Sequence, residues 1–353
     1  MNTFGNNFRL TTFGESHGPA VGGVVDGCPA GLRLDFGIID EALRRRREGD
    51  TSMESMAMGS LVTPRKEADE VEWLSGIMDG VTLGTPIAFL VRNKAHRSDD
   101  YDSLREMQRP GHADYTYQEK YDIRDHRGGG RSSARETVGR VIAGAIALQA
   151  IRQKYPVEMR TLFEVPAMSN PMGSHDDRST FGGSVVCSIS HVPAGWGSPL
   201  FGKLNARLAE AMMSIPSAMA FEMGSGCAAS RSTGAEHTDA WTIPPHQMEQ
   251  FPMEDYERHL HQESYAMGRK TLFNHCGGVQ GGISNGDPLI FRVHFHPVAT
   301  VNGVMRCRDA NGDIHEVEHE GRHDRCHVLR TPIIVESMAA LVLADEMLST
   351  HIF

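Results

Sequence analysis

The sequence predicts one mixed α/β layered domain, and three observations carry that prediction. Strand-like and helix-like apolar runs alternate along the chain. No proline- or serine-rich linker, low-complexity tract or short-period repeat divides it. At 353 residues, with 40% hydrophobic and 23% charged side chains, it can bury a sizeable core.

The elements follow in order. Ala20–Val25 reads as a valine-rich strand around a glycine pair. Such pairs, which recur at Gly182-Gly183, Gly277-Gly278 and Gly281-Gly282, mark bulges or close approach by a ligand or another backbone. Ile38–Arg47 reads as a helix ending in the run Arg44-Arg45-Arg46-Arg47. Cations there complement the helix dipole, and four adjacent side chains point four ways, so one or two at most can enter a shared pocket. Ile87–Val91 reads as a strand. Ala134–Gln153 is a long helical pattern, with Val138, Val141, Ile142, Ala145, Leu148 and Ile151 at helical spacing behind a capping box, Ser133-x-x-Glu136. Ser184–Ser190 and Leu289–Phe295 read as strands, and Leu200–Met213 and Pro332–Leu348 as helices.

The formal charge of −10 argues against a nucleic-acid partner, so any arginine cluster works locally against the average. The six cysteines contain no C-x-x-C pair, which predicts reduced thiols in a cytoplasmic protein without a disulfide frame or zinc site. The N-terminus M-N-T-F-G-N-N-F-R lacks the basic and apolar regions of a signal peptide. The apolar stretches Thr85–Val91 and Val141–Ala147 are too short to span a bilayer, so no membrane association is expected.

Residues 127–137, R-G-G-G-R-S-S-A-R-E-T, set three glycines and three arginines at a helix start. Glycines let backbone approach a ligand, first-turn N–H groups and the dipole favour an anion, and Arg131 and Arg135 add charge. The segment has neither P-loop nor dinucleotide-fold spacing. A phosphate site, a plain capped helix and a flexible Arg/Gly RNA-binding segment all fit it in isolation. His315, His319, His323 and His327 recur every fourth residue, but Asp309–Asp313 is a turn signal and Ile314–Glu318 alternates like a strand, so no metal site is expected. His17, in T-T-F-G-E-S-H-G, and His112, in R-P-G-H-A-D-Y-T-Y, lie in glycine-bearing loops where a histidine can move protons.

Taken together, these segments resemble the chorismate synthase family. The resemblance is carried by T-T-F-G-E-S-H-G-P-A-V-G-G-V-V-D-G-C-P (11–29), R-P-G-H-A-D-Y-T-Y-Q-E-K-Y (109–121), R-D-H-R-G-G-G-R-S-S-A-R-E-T (124–137) and G-R-H-D (321–324). Weaker matches at 192–204, 211–215, 277–286 and 342–345 follow in the family's order, so the similarity covers nearly the whole chain. It implies an α+β fold, a β-α-β sandwich of two four-stranded antiparallel sheets with helices, as a single domain over 1–353 and a homotetramer. The implied reaction is the 1,4-trans elimination of phosphate from 5-enolpyruvylshikimate 3-phosphate to give chorismate. Reduced FMN is the implied cofactor, with NADPH as a candidate reductant.

The resemblance also implies roles. His17 would protonate the departing phosphate, His112 would tune protonation of the reduced flavin, and Asp324 would help move the proton at its N5. Ser16, Arg46, Arg109, Arg135 and Arg322 would bind substrate. Arg131, Ser132, Ser133, Gly281, His296, Pro297, Val298, Ala299, Thr300 and Arg322 would line the flavin. Several positions depart from the family pattern. About seven residues are inserted after Arg47, S-I-P-S-A-M-A (214–220) stands for S-I-N-A-V-K-G, His296 replaces a lysine, and Arg325 replaces a proline. A second reading follows from them: a divergent paralogue that binds flavin or an anion without catalysing the elimination. Arg325 and a protonated His296 are the expected compensations for the lost cations.

Overall fold

β1 (Thr3–Phe4), β2 (Arg9–Phe13) and β3 (Ala20–Asp26) lead into α1 (Phe36–Glu48), the first helix. This computed structural model describes residues 1–49, 69–94, 104–165, 180–300, 303–319 and 324–350. Asp35 starts α1 by accepting from Gly37 N–H at 2.8 Å, and Ile39, Ala42 and Leu43 form its buried stripe. The arginine run fans out as its spacing requires. Arg44 pairs with Glu41 and Glu48, Arg45 with Glu336, Arg47 with Glu48, and Arg46 alone turns toward the start of the next long helix.

The chain continues through β4 (Val71–Trp73), the small hairpin β5 (Ile77–Met78) and β6 (Val81–Thr82), β7 (Ile87–Arg92), α2 (Asp114–Tyr121) and α3 (Thr137–Arg152). Then come β8 (Glu158–Glu164), β9 (Gly183–Ser190), α4 (Leu204–Met213), β10 (Ala218–Met223), α5 (Gly234–His237) and α6 (Asp255–Ala266). The last elements are β11 (Val279–Gln280), β12 (Ile283–Ser284), β13 (Leu289–Phe295), β14 (Gly303–Arg308), β15 (Ile314–His319) and α7 (Pro332–Ser349). The helix read from Leu200 begins at Leu204, after Lys203. β14 and β15 form a hairpin whose turn Asp309 closes by accepting from Asn311 and Asp313 N–H, so His315 lies on a strand and bonds Asp309 at 2.8 Å. His323 lies outside the described residues, and among those described no three His, Cys, Asp or Glu side chains gather as metal ligands.

One antiparallel sheet has the order β1-β2-β3-β7-β4 and the other β10-β13-β9-β8. The first therefore carries five strands against the four expected; its outer members are two and three residues long. α3 packs on β2 and β3, α7 packs on β8 and β9, and the two helices pack on each other. Both are apolar nearly all round, as helices between two sheets must be. Their crossing is close: a Cβ on Gly144 would lie 2.4 Å from Ser337 Cβ. One core runs from Phe8 to Met347, with a small satellite at Leu104, Met305 and Cys307. No described helix is long and apolar enough to cross a membrane.

Candidate active site

The loop leaving β2 and the Arg/Gly loop before α3 meet where β2 ends and β3 begins, at one end of the first sheet's inner strands. Glu15–Gly18 is a tight turn in which Gly18 N–H donates to Glu15 O at 3.0 Å. Ser16 crosses to the other loop: its N–H donates to Gly130 O and its hydroxyl to Gly128 O, both at 3.4 Å. Gly128, Gly129 and Gly130 have φ of +61°, +88° and +54°, a left-handed run that explains three successive glycines. A Cβ on Gly128 would meet Cδ2 and Nε2 of His17 at 2.4 Å, so the imidazole lies directly on this glycine. Arg131 folds back onto β2, donating to Thr12 Oγ1 at 2.7 Å and to the carbonyls of Thr12 and Gly14 at 3.3 Å. Ser132 closes the loop on Gly129 O at 2.7 Å.

The helix start differs from the capping box expected. Ser133 accepts from Arg135 N–H at 3.3 Å and starts a 3₁₀ turn, Ala134–Glu136, and α3 follows from Thr137. The tighter turn sends the Glu136 carboxylate along α3 to Arg140, at 2.6 Å, so it does not return to Ser133 N–H. Arg140 in turn donates to Ser214 Oγ at 2.6 Å.

Two of the expected substrate arginines converge on this start. Arg46 donates to Thr137 Oγ1 at 2.9 Å and Ala134 O at 3.0 Å, and its Nη1 lies 3.4 Å from Asp69. Arg135 reaches the other oxygen of Asp69 at 2.5 Å and donates Nε–H to Asn93 Oδ1 at 3.0 Å. Asp69, 1% exposed at its side chain, joins the two guanidiniums. Sequence reasoning missed both Asp69 and Asn93. A signal existed for Asn93: it directly follows β7, and the loops that leave a rigid sheet commonly carry binding and catalytic residues.

A cavity of about 920 Å³ opens beside these loops, lined among others by Gly14, Glu15, Tyr117, Arg124, Arg127 and Gly129–Ser132. Its size matches a site for a cofactor with its substrate. Two of its carboxylates, Asp114 and Asp125, are held by cations. Burial alone would raise Asp114 and Asp125, but paired Arg109 and Arg127 outweigh it and hold both below the usual aspartate value. Arg109, expected on the substrate, is 4% exposed at its side chain and forks onto Asp114 at 2.8 and 2.9 Å. The pair anchors the 109–114 loop that carries His112.

A second group gathers where the 109–114 loop meets β13's end. His112 Nδ1 lies 2.9 Å from Pro110 O and must donate to it, so in the neutral ring Nε2 accepts from Thr300 Oγ1 at 2.7 Å. Gly111 lies against Ala299, and Val298 O accepts from Thr180 Oγ1 at 2.9 Å. The altered positions come together here. His296 N–H donates to Ser217 O at 3.0 Å and its Nδ1 bonds Pro297 O, while Ser217 Oγ lies 2.5 Å from His327 Nε2. Burial drives His327 down to about 4, helped by His296 and opposed by Asp324. Asp324 accepts from Arg330 at 2.8 Å. Arg325, expected to face an anion, sets its guanidinium 5.8 Å from the Phe181 ring centre.

Gly281 is at the tip of the β11–β12 hairpin, next to Gly282, whose carbonyl accepts from Leu204 N–H; space is open on the side a Cβ would take. Arg322 and most of the insertion after Arg47 lie outside the described residues.

The chain is similar to known proteins along nearly its whole length. A family model described as chorismate synthase matches residues 8–169 and 166–348. The chorismate synthase of Christiangramia forsetii is 43% identical, with 98% of this chain and 96% of the relative covered. That of Synechocystis is 42% identical, with 98% and 97% covered. A crystal structure of a chorismate synthase superposes with a TM-score of 0.67 at 25% identity, covering 98% of this chain and 93% of that one.

Proposed function

The chain belongs to the chorismate synthase family, and from that premise we propose how its own residues carry out the reaction. The protein is a lyase of aromatic biosynthesis that forms chorismate. Its substrate, 5-enolpyruvylshikimate 3-phosphate, loses phosphate from one face and a hydrogen from the other. One observation carries the assignment of the site: the His17 imidazole rests on Gly128, in the loop that leads to the Arg46–Asp69–Arg135 group.

His17 is the acid that protonates the departing phosphate oxygen, which makes phosphate a better leaving group. Arg46 and Arg135 hold the substrate's anionic groups in place and take up charge as the C–O bond breaks. Asp69 keeps their guanidiniums in fixed positions, and the first-turn N–H groups before α3 add positive potential. Ser16 joins the His17 turn to the Arg/Gly loop. Arg109 acts through Asp114, holding the loop that bears His112, and His112 holds its proton on Nδ1 against Pro110 O. Asp324, fixed by Arg330, would help move the proton at the N5 of a bound flavin. Arg322 completes the substrate arginines.

A reduced flavin supplies the electron chemistry when bound. The residues fit a flavin carrying a phosphate: a left-handed glycine run without side chains leads into Arg131, Ser132 and Ser133, and the adjoining cavity has the volume for it. FMN is the flavin that these residues, with Pro297, Val298, Ala299 and Thr300, would hold, and NADPH is a candidate reductant. Gly281 joins them from the β11–β12 hairpin. We also assign residues 1–353 to a single domain, supported by the core running from Phe8 to Met347, in a cytoplasmic homotetramer.

The cluster of Ser217, His296 and His327 favours a second reading, in which an altered flavin edge leaves a binding protein without turnover. Anaerobic incubation with 5-enolpyruvylshikimate 3-phosphate and dithionite-reduced FMN separates the two. Chorismate formation supports the enzyme, and tight flavin binding without chorismate supports the binding protein.

A further inference from the structure

Asn93 stands just past β7, and its carboxamide makes three hydrogen bonds to two loops. Nδ2 donates to Glu15 O at 3.0 Å and to Gly18 O at 2.8 Å, the two ends of the turn whose middle residues are Ser16 and His17. Oδ1 accepts from Arg135 Nε–H at 3.0 Å. The backbone of Asn93 adds a bond to Pro19 O at 3.1 Å. Neighbouring groups fix the amide's orientation: two carbonyls need its donors and a guanidinium needs its acceptor. Aspartate has the same shape but no donor, and would turn an oxygen toward both carbonyls. Leucine has the size without either function. Of the uncharged side chains, only a carboxamide offers two donors and an acceptor on one flat group of this length.

We propose that Asn93 is a positioning residue that sets the His17 turn against Arg135, so that proton donor and anion-holding guanidinium keep one fixed separation. This rests on the assignment of His17 as the acid. The link is short: one planar group spans both loops, with no intervening side chain. The described hydrogen bonds from the turn to the Arg/Gly loop, Ser16 to Gly128 O and Gly130 O, are longer at 3.4 Å. Loss of Asn93 therefore lets the turn drift while leaving the sheet beneath it in place. A displacement of about 1 Å at a reacting group costs roughly a hundredfold in rate.

The test is a double-mutant cycle on turnover, with reduced flavin and substrate both saturating. Asn93→Ala is expected to lower kcat by about ten- to a hundredfold, with KM changed less than kcat. In a His17→Ala background the same substitution is expected to change kcat by less than about threefold, because the group it positions is gone. Asn93→Ser and Asn93→Asp run in parallel, so that a misfolded alanine variant still leaves the cycle complete. Additive losses in all three would overturn the proposal, since a merely structural residue acts with or without His17. An unaltered kcat in folded Asn93 variants would overturn it too. His17→Ala alone tests the underlying assignment: if that single change leaves turnover intact, the acid is elsewhere and the positioning claim falls with it. If His17→Ala is severe but the cycle is additive, only the role of Asn93 fails.

Discussion

Gly128→Ala isolates the contact on which the site depends. At φ +61° an alanine adopts a left-handed conformation that costs about 1–2 kcal/mol. Its Cβ would sit 2.4 Å from His17 Cδ2 and Nε2, where ordinary contact begins at 3.4 Å, so the ring or the loop must yield by about 1 Å. A shift of that size at a proton donor lowers turnover by roughly a hundredfold. Gly130→Ala provides the control. With φ +54° it bears similar backbone strain, but the nearest atoms to its Cβ would be Asp125 Cβ at 3.6 Å and Glu15 Cγ at 3.7 Å, both comfortable contacts. Both variants should unfold a few degrees below the parent in a thermal melt, and only Gly128→Ala should lose most of its kcat. Steady-state chorismate formation under anaerobic conditions measures the difference. Equal kcat in the two variants would mean that His17 does not rest on this loop in the working enzyme, and the reasoning would fail.

Arg135→Ala should weaken substrate binding more than flavin binding in separate titrations; the reverse order would exchange the roles of Arg131 and Arg135. Asp114→Asn should cost about 3 kcal/mol in denaturant unfolding at pH 7, because it leaves Arg109 buried beside a neutral partner. Since the folded Asp114 lies below its ordinary 3.8, this stabilisation is present above 3.8 and lost as pH falls through the lower folded value. Parent and variant should therefore converge in strong acid, and a constant gap would show that charge is not the cause. For His327 the folded value falls from 6.5 to about 4, so stability is whole above 6.5 and declines as pH drops toward 4, by about 3 kcal/mol across the window. His327→Gln should remove that part of the decline, and parallel stability curves for parent and variant would count against it.

His17, Ser16 and the glycine run were legible because each lies in a short motif whose local chemistry is fixed by neighbouring residues. The scatter of Arg44 to Arg47 was legible too, since helix geometry alone sends four adjacent side chains to different partners. Asp69 and Asn93 were not. Their roles come from contacts with residues 23 to 78 positions away, and apart from the place of Asn93 at a strand end nothing in their immediate neighbours separates them from ordinary surface polars. The capping box misled for a local reason: Ser133-x-x-Glu136 has the right spacing, but a 3₁₀ turn changes which N–H the serine meets and frees Glu136 for Arg140. β1 and β4, two and three residues long, carry too little alternation to read, and the four-stranded expectation came from the family resemblance. The gathering of Ser217, His296 and His327 joins three distant segments, of which the first two show in sequence only as separate departures and His327 only as one of a spaced histidine series.

Phosphate release in a single anaerobic turnover tests the central claim most directly. Parent and His17→Ala are each mixed with substrate and reduced FMN, and FMN affinity is titrated alongside. The account predicts release slower by about 10²–10⁴-fold in the variant, the range for a lost proton donor, with FMN affinity nearly unchanged. Release within threefold of the parent would contradict it.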